Sequence, residues 1–146
     1  PVAVGEGMIL YSLCKAITEA EEQEFCETLK FAGRLDKLQE ELIDAGCAIS
    51  GCGPAFVYMF AESMAKAGCD CGLPQDKAIS LAAQTLLGAA KLMLESNKSP
   101  ETLRQEVCSP KGSTIEGVIS LQNSEFDNSV NNAIKASFKR TKELGN

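Results

Sequence analysis

The pattern of apolar and polar positions changes character near residue 39. Before that point Val2, Val4 and Met8 to Leu13 form an extended, partly β-branched opening punctuated by Gly5 and Gly7, which predicts a strand. Thr18-Glu19-Ala20-Glu21 has the spacing of a capping box. Phe25, Leu29 and Ala32 follow at helical intervals as far as Gly33, a residue suited to a helix C-terminus. Arg34 to Leu38 then predicts a second short strand. A strand-helix-strand unit of this kind is a piece of an α/β layer whose other strands are not in the chain. The first residue is Pro1 with no initiator Met, and the expectation is a fragment of a longer polypeptide.

From Glu40 onward the pattern is helix after helix. Glu40 to Ser50 predicts one. Pro54 at a first helical position opens the next, with Phe56, Phe60, Met64 and Ala67 as its apolar stripe. Gly68 and Gly72 bound the turn before Pro74. From Pro74 to about Ser96 runs a long helix whose apolar residues, among them Ile79, Leu81, Leu86, Leu87, Leu92 and Leu94, cover most of its circumference. A helix apolar nearly all round must be buried on nearly all sides, and a domain of this size has little material to cover it. The expectation is a helical homodimer with this element at its centre. Ser99 caps and Pro100 opens a short helix through Val107. Two further helices follow, Thr114 to about Gln122 and Phe126 to Leu144, the last with Lys135, Lys139, Arg140 and Lys142 as a solvated basic face.

Composition narrows the function. With 45% hydrophobic and 23% charged residues, the 146-residue chain reads as a soluble globular protein. A net charge of -6 argues against nucleic acid, whose binding rests on Lys and Arg neutralising phosphates. Histidine is absent, which removes the commonest general base. The seven cysteines are odd in number and include no CxxC pair, so they read as reduced cytoplasmic thiols without a metal site. The longest apolar run, Ile79 to Leu94, is broken by Ser80, Gln84, Thr85 and Lys91, and no membrane span is expected.

Candidate chemistry centres on Ser109-Pro110-Lys111-Gly112-Ser113-Thr114, which opens onto Ile115, Val118 and Ile119. Pro110 and Gly112 force a turn, and Ser113 precedes Glu116 at capping-box spacing. Free backbone N–H groups at such a helix start, with the positive pole of the helix, favour a carboxylate or a phosphate. By itself the hexapeptide also fits a capped helix with a purely structural role.

Several segments, in order and spacing, carry a resemblance: Pro1-Val-Ala-Val-Gly-Glu-Gly7, Glu41-Leu-Ile-Asp-Ala45, Ser50-Gly-Cys-Gly-Pro-Ala-Phe56, Gly72-Leu-Pro74, Ala83-Gln-Thr-Leu-Leu-Gly-Ala-Ala-Lys91 and Ser109-Pro-Lys-Gly-Ser-Thr-Ile115. Together they resemble the C-terminal half of the pyrroline-5-carboxylate reductases across essentially the whole chain. The resemblance implies a mainly α fold, a helical dimerisation bundle preceded by a strand-helix-strand remnant of an α/β Rossmann domain. Residues 1–38 would be the end of the dinucleotide-binding domain and 39–146 the dimerisation and substrate-binding domain. The implied reaction is NADPH- or NADH-dependent reduction of 1-pyrroline-5-carboxylate to L-proline. Gly5-Glu6-Gly7 lacks the third glycine of a GxGxxG turn, so the cofactor would be held mainly by a domain outside this chain, and the chain alone is not expected to turn over.

The resemblance also assigns roles. Ser109, Gly112, Ser113 and Thr114 would hold the substrate carboxylate, and the Thr114 hydroxyl would lie near the ring nitrogen as the catalytic donor, with a water relay as an alternative proton source. Ser50, Gly51 and Gly53 would let backbone approach the cofactor, and Glu40 would stand near the substrate. Two departures stand out: Lys111 where the family commonly has glycine, and Cys52 where serine is frequent. Two other classes also fit in part. One is a stand-alone helical dimerisation module without catalysis. The other is a reductase of the hydroxyacid-dehydrogenase type, for which Lys66, Lys77 and Lys91 lack the accompanying motif.

Overall fold

The computed structural model describes residues 1–145. The chain forms two compact units, Pro1–Phe56 joined by the C-terminal stretch from Asn131, and Val57–Val130.

The first unit is built on two parallel strands, β1 (Gly7–Tyr11) and β2 (Gly33–Lys37), joined by helix α1 (Glu19–Leu29). Gly7 pairs with Gly33 at one end of the ladder and Tyr11 with Lys37 at the other. Thr18 and Glu21 form the reciprocal capping box that their spacing predicts. The opening departs from the predicted strand. Val2–Val4 is a 3-10 turn closed by hydrogen bonds from the Val4 and Gly5 amides to the Pro1 and Val2 carbonyls, both 3.0 Å. Gly5 at φ 76 then turns the chain out of the extended region, so β1 begins only at Gly7 and ends at Tyr11, short of Leu13. Gly33 is likewise no helix terminus. α1 stops at Leu29, the Ala32 amide folds back to the Leu29 carbonyl at 2.8 Å, and Gly33 opens β2. The predicted 40–50 helix divides into a 3-10 turn, Glu40–Leu42, and α2, Ile43–Ser50.

Helix α3 (Gly53–Asp70) continues into the second unit, followed by α4 (Gln75–Glu95), α5 (Pro100–Glu106), α6 (Ser113–Asn123) and α7 (Phe126–Leu144). Ser99 caps α5, accepting from the Thr102 amide at 3.1 Å. Ala65 of α3 packs on Ala78 and Ala82 of α4, with Met64 and Cys69 alongside, and the Phe60 and Phe126 rings meet at 6.0 Å. Small residues on facing rows let the two helices approach closely. Only that row of α4 is covered. Ile79, Leu81, Leu87, Leu92 and Leu94 remain exposed.

By length and composition two helical stretches, 40–70 and 75–95, are apolar enough to cross a bilayer, at mean hydropathies of 1.3 and 1.2. The Ile79–Leu94 run, with its interrupting Ser80, Gln84, Thr85 and Lys91, lies within the second of these stretches. The same exposed faces would serve equally well as a protein interface.

Candidate functional site

The segment that joins α5 to α6 begins at Cys108, whose amide donates to the Gln105 carbonyl at 3.1 Å. Its turn is closed by the Gly112 amide on the Ser109 carbonyl, 2.9 Å. Between them Lys111 sits in the left-handed region at φ 60, a conformation costly to a side chain with a Cβ. Gly112, extended at φ -80 and ψ 165, takes the cap position. Ser113 is therefore the first residue of α6 and not its cap, and the predicted Ser113–Glu116 capping box does not form. The helix starts one residue earlier than the predicted Thr114.

This shift has a chemical consequence. No side chain caps α6, and among the described residues no acceptor reaches the Ser113 or Thr114 amide. Both residues and Ser109 are exposed. The loop thus presents two adjacent N–H donors, three hydroxyls and the Lys111 ammonium toward solvent, a set of donors matched to a carboxylate. Helices α2 and α4 also start without a side-chain cap, so open amides do not by themselves distinguish this loop.

The other predicted site residues lie in the first unit. Ser50 ends α2, and Gly51 turns back to the Cys47 carbonyl through its amide at 2.8 Å. A Cβ on Gly51 would fall 2.9 Å from the Cys47 sulfur, so a packing contact accounts for that glycine. A Cβ on Gly53 would meet nothing within 4 Å, which leaves its backbone open to a ligand. The exposed Glu40 carboxylate accepts a hydrogen bond from the Ser12 hydroxyl just beyond the carboxyl ends of β2 and β1. Ligands of parallel sheets bind at that edge. The structure thus gathers Ser109, Gly112, Ser113 and Thr114 at one turn and Ser50, Gly51 and Gly53 at another, with Glu40 on neither.

One polar network was not foreseen. The Tyr11 hydroxyl donates to Glu22 at 2.8 Å, Lys37 donates to the other Glu22 oxygen at 3.0 Å, and the Cys26 sulfur lies 3.5 Å from the Tyr11 oxygen. The Tyr11 hydrogen bond and then Lys37 hold the Glu22 carboxyl below its usual range. Cys26 and Glu22 push the Tyr11 phenol well above its own. Tyr11 and Glu22 border a cleft of about 240 Å³ lined also by Ser12, Ile17 and Phe25. A larger groove, about 700 Å³, runs between α3 and α4 past Tyr58, Glu62, Cys69 and Ile79, away from the α5–α6 loop. All seven cysteines are free, and among the described residues no three His, Cys, Asp or Glu side chains cluster to hold a metal.

A mainly helical domain with an uncovered apolar helix, attached to a parallel strand-helix-strand unit, is the class this architecture defines. The family model described as pyrroline-5-carboxylate reductase dimerisation matches residues 40–144. The chain belongs to the pyrroline-5-carboxylate reductase family. Pyrroline-5-carboxylate reductase of Glycine max is 39% identical over 99% of this chain and 53% of its own length. Human pyrroline-5-carboxylate reductase 2 is 39% identical over 99% of this chain and 45% of its own. Among solved structures, the Plasmodium falciparum pyrroline carboxylate reductase with NADP bound superposes with a TM-score of 0.93 at 32% identity, covering 100% of this chain and 58% of that one. The Coxiella burnetii pyrroline-5-carboxylate reductase gives 0.92 at 29% identity, covering 97% and 53%. The chain spans about half the length of the curated relatives it matches.

Proposed function

We propose that the protein carrying this chain reduces 1-pyrroline-5-carboxylate to L-proline with NADPH or NADH. The observation that carries the reading is a family match over 40–144, together with 39% identity to a named reductase along 99% of the chain. In this reading residues 1–38 complete the dinucleotide-binding domain, and 39–146 form the dimerisation and substrate-binding domain.

The α5–α6 loop then receives the substrate carboxylate on the Ser113 and Thr114 amides, with Gly112 shaping the turn and the Ser109 hydroxyl as a further donor. Thr114 is the catalytic side chain. Its hydroxyl donates to the ring nitrogen and steadies the electron pair that develops there, while a water relay supplies the proton, since an aliphatic hydroxyl is a poor acid. The nicotinamide, when bound, supplies the hydride to the C=N carbon. Ser50, Gly51 and Gly53 would bear on the cofactor, and the open space at Gly53 suits that contact. Glu40, already fixed by Ser12, would act at the substrate from its sheet edge.

The exposed faces of α3 and α4 fit burial in a homodimer, in keeping with a domain described by dimerisation. The free thiols fit a reducing cytoplasm, and the net charge of -6 fits neither nucleic acid nor an anionic membrane surface.

The test is NADPH oxidation by the full-length protein with 1-pyrroline-5-carboxylate. Thr114→Ala is expected to lower kcat by about 100-fold with cofactor affinity preserved. An unchanged kcat would remove Thr114 from the mechanism, and absence of turnover by the wild type would end the reading.

A further inference from the structure

Helix α5 has 7 residues, about 10 Å at the rise of an α-helix, and a helix that short has little stability of its own. What holds it matters to the site, because the loop Ser109–Thr114 leaves from its C-terminal end, where the Cys108 amide closes on the Gln105 carbonyl. Its first turn is fixed by Pro100, by the Ser99 cap and by the Leu103 amide on the Ser99 carbonyl at 3.0 Å. Glu101 in the first turn and Arg104 in the last suit the dipole.

Lys98 and Glu106 do not. Lys98 stands ahead of the positive end and Glu106 is the last helical residue, at the negative end, so each alone works against the helix. The structure pairs them. The Lys98 ammonium donates to both Glu106 oxygens, at 2.6 and 2.9 Å, so the contact runs the length of α5 from before its first residue to its last. Three other ion pairs, Lys30–Glu27, Lys91–Glu95 and Arg140–Glu143, join residues only one turn apart and support their helices locally. The Lys98–Glu106 pair instead ties the α4–α5 connection to the residue just ahead of the exit toward Ser109. Its side chains are 49% and 48% exposed, which keeps its strength modest.

We propose that Lys98 and Glu106 are positioning residues for the substrate loop: their contact straps α5 end to end and so fixes the point from which Ser109, Gly112, Ser113 and Thr114 meet the substrate carboxylate. The proposal rests on the reductase reading above and adds to it two residues that act through the loop. With the strap broken, the last turn of α5 frays, the Cys108–Gln105 hydrogen bond opens more often, and the loop must be ordered at the expense of binding. In that reading the loop bears on the substrate and not on the cofactor, so the loss falls on the substrate alone.

Lys98→Met and Glu106→Gln each break the ion pair, and the exchanged pair, Lys98→Glu with Glu106→Lys, restores it with each charge at the end the dipole favours. In the full-length protein each single variant is expected to raise KM for 1-pyrroline-5-carboxylate by about two- to fivefold, the span of an exposed ion pair, with kcat and KM for NADPH nearly unchanged. The exchanged pair should bring KM back to the wild-type value. Amide hydrogen exchange over 107–114, which needs no turnover, should speed up in both single variants and slow again in the exchanged pair. A lower Tm with an unmoved KM makes the pair merely structural and overturns the proposal. So does a KM that rises in Lys98→Met but not in Glu106→Gln, since that pattern is repulsion of the substrate by an unpaired Glu106. A wild type without turnover ends the reductase reading; exchange then decides the strap alone, and unchanged rates in the single variants overturn it.

Discussion

Gly33 faces Gly7 at the first rung of the parallel pair, so closely that a Cβ on Gly33 would fall 2.0 Å from the Gly7 carbonyl oxygen. Gly33 also holds φ at 144, where side chains with a Cβ are strained whatever the space. Backbone strain and overlap therefore act together. Gly33→Ala is expected to destabilise the strand-helix-strand unit by about 3 kcal/mol or more. Urea denaturation monitors this, and a loss below about 1 kcal/mol would mean that the strands part without cost.

The helix starts separate structural serines and threonines from the one left free. Thr18 caps α1 and Ser99 caps α5, so Thr18→Ala and Ser99→Ala should each cost about 1 kcal/mol. Ser113 caps nothing, and Ser113→Ala should leave thermal stability within about 0.5 kcal/mol of wild type. A drop in Tm for Ser113→Ala comparable to that for Ser99→Ala would show Ser113 acting as a cap after all.

Acid sensitivity follows from Glu22. Its folded pKa lies below the ordinary value because of the Tyr11 hydrogen bond and then Lys37. A depressed carboxyl contributes stability above its unfolded pKa and loses it as the pH falls through the folded value. Tyr11→Phe removes the larger cause, so Glu22 should titrate at higher pH and the acid-side loss should set in earlier. Carbon-detected NMR titration of the Glu22 carboxyl reads this directly. The same midpoint in both proteins would show that the Tyr11 hydrogen bond has no hold on Glu22.

Much of this organisation is legible in the residues because helical spacing is a strong local signal. Phe126–Leu144 is helical over the residues its pattern predicts, and the caps at Thr18 and Ser99 fall where their spacing puts them. The misreadings share a cause, a local rule overridden by a single backbone conformation. Val2 and Val4 are β-branched, yet the left-handed Gly5 makes their segment a turn; Gly33 has the look of a helix end, yet the strand register requires a glycine there. Ser113 and Glu116 keep capping-box spacing although Gly112 takes the cap. The contiguous loop Ser109–Thr114 could be found from sequence, whereas the Tyr11–Glu22–Lys37 network could not. Its members come from three elements and meet only once α1 packs across β1 and β2.

Lys111 combines two effects that point in opposite directions. Its φ of 60 strains a residue with a Cβ, while it carries a positive charge two residues ahead of the open Ser113 amide of α6. Lys111→Gly relieves the strain and should raise stability by about 1 kcal/mol. It also removes a charge next to the proposed carboxylate site, where an exposed ion pair contributes about 0.2–1 kcal/mol, so KM for the substrate should rise by up to roughly fivefold with kcat nearly unchanged. Lys111→Met separates the two, since it keeps the strained Cβ and loses only the ammonium. The methionine variant should show the KM increase without the stability gain, read from steady-state kinetics and thermal denaturation of the same full-length preparations. If instead its KM equals that of wild type, the ammonium takes no part in binding the carboxylate, and the left-handed lysine is a strain with no return in affinity.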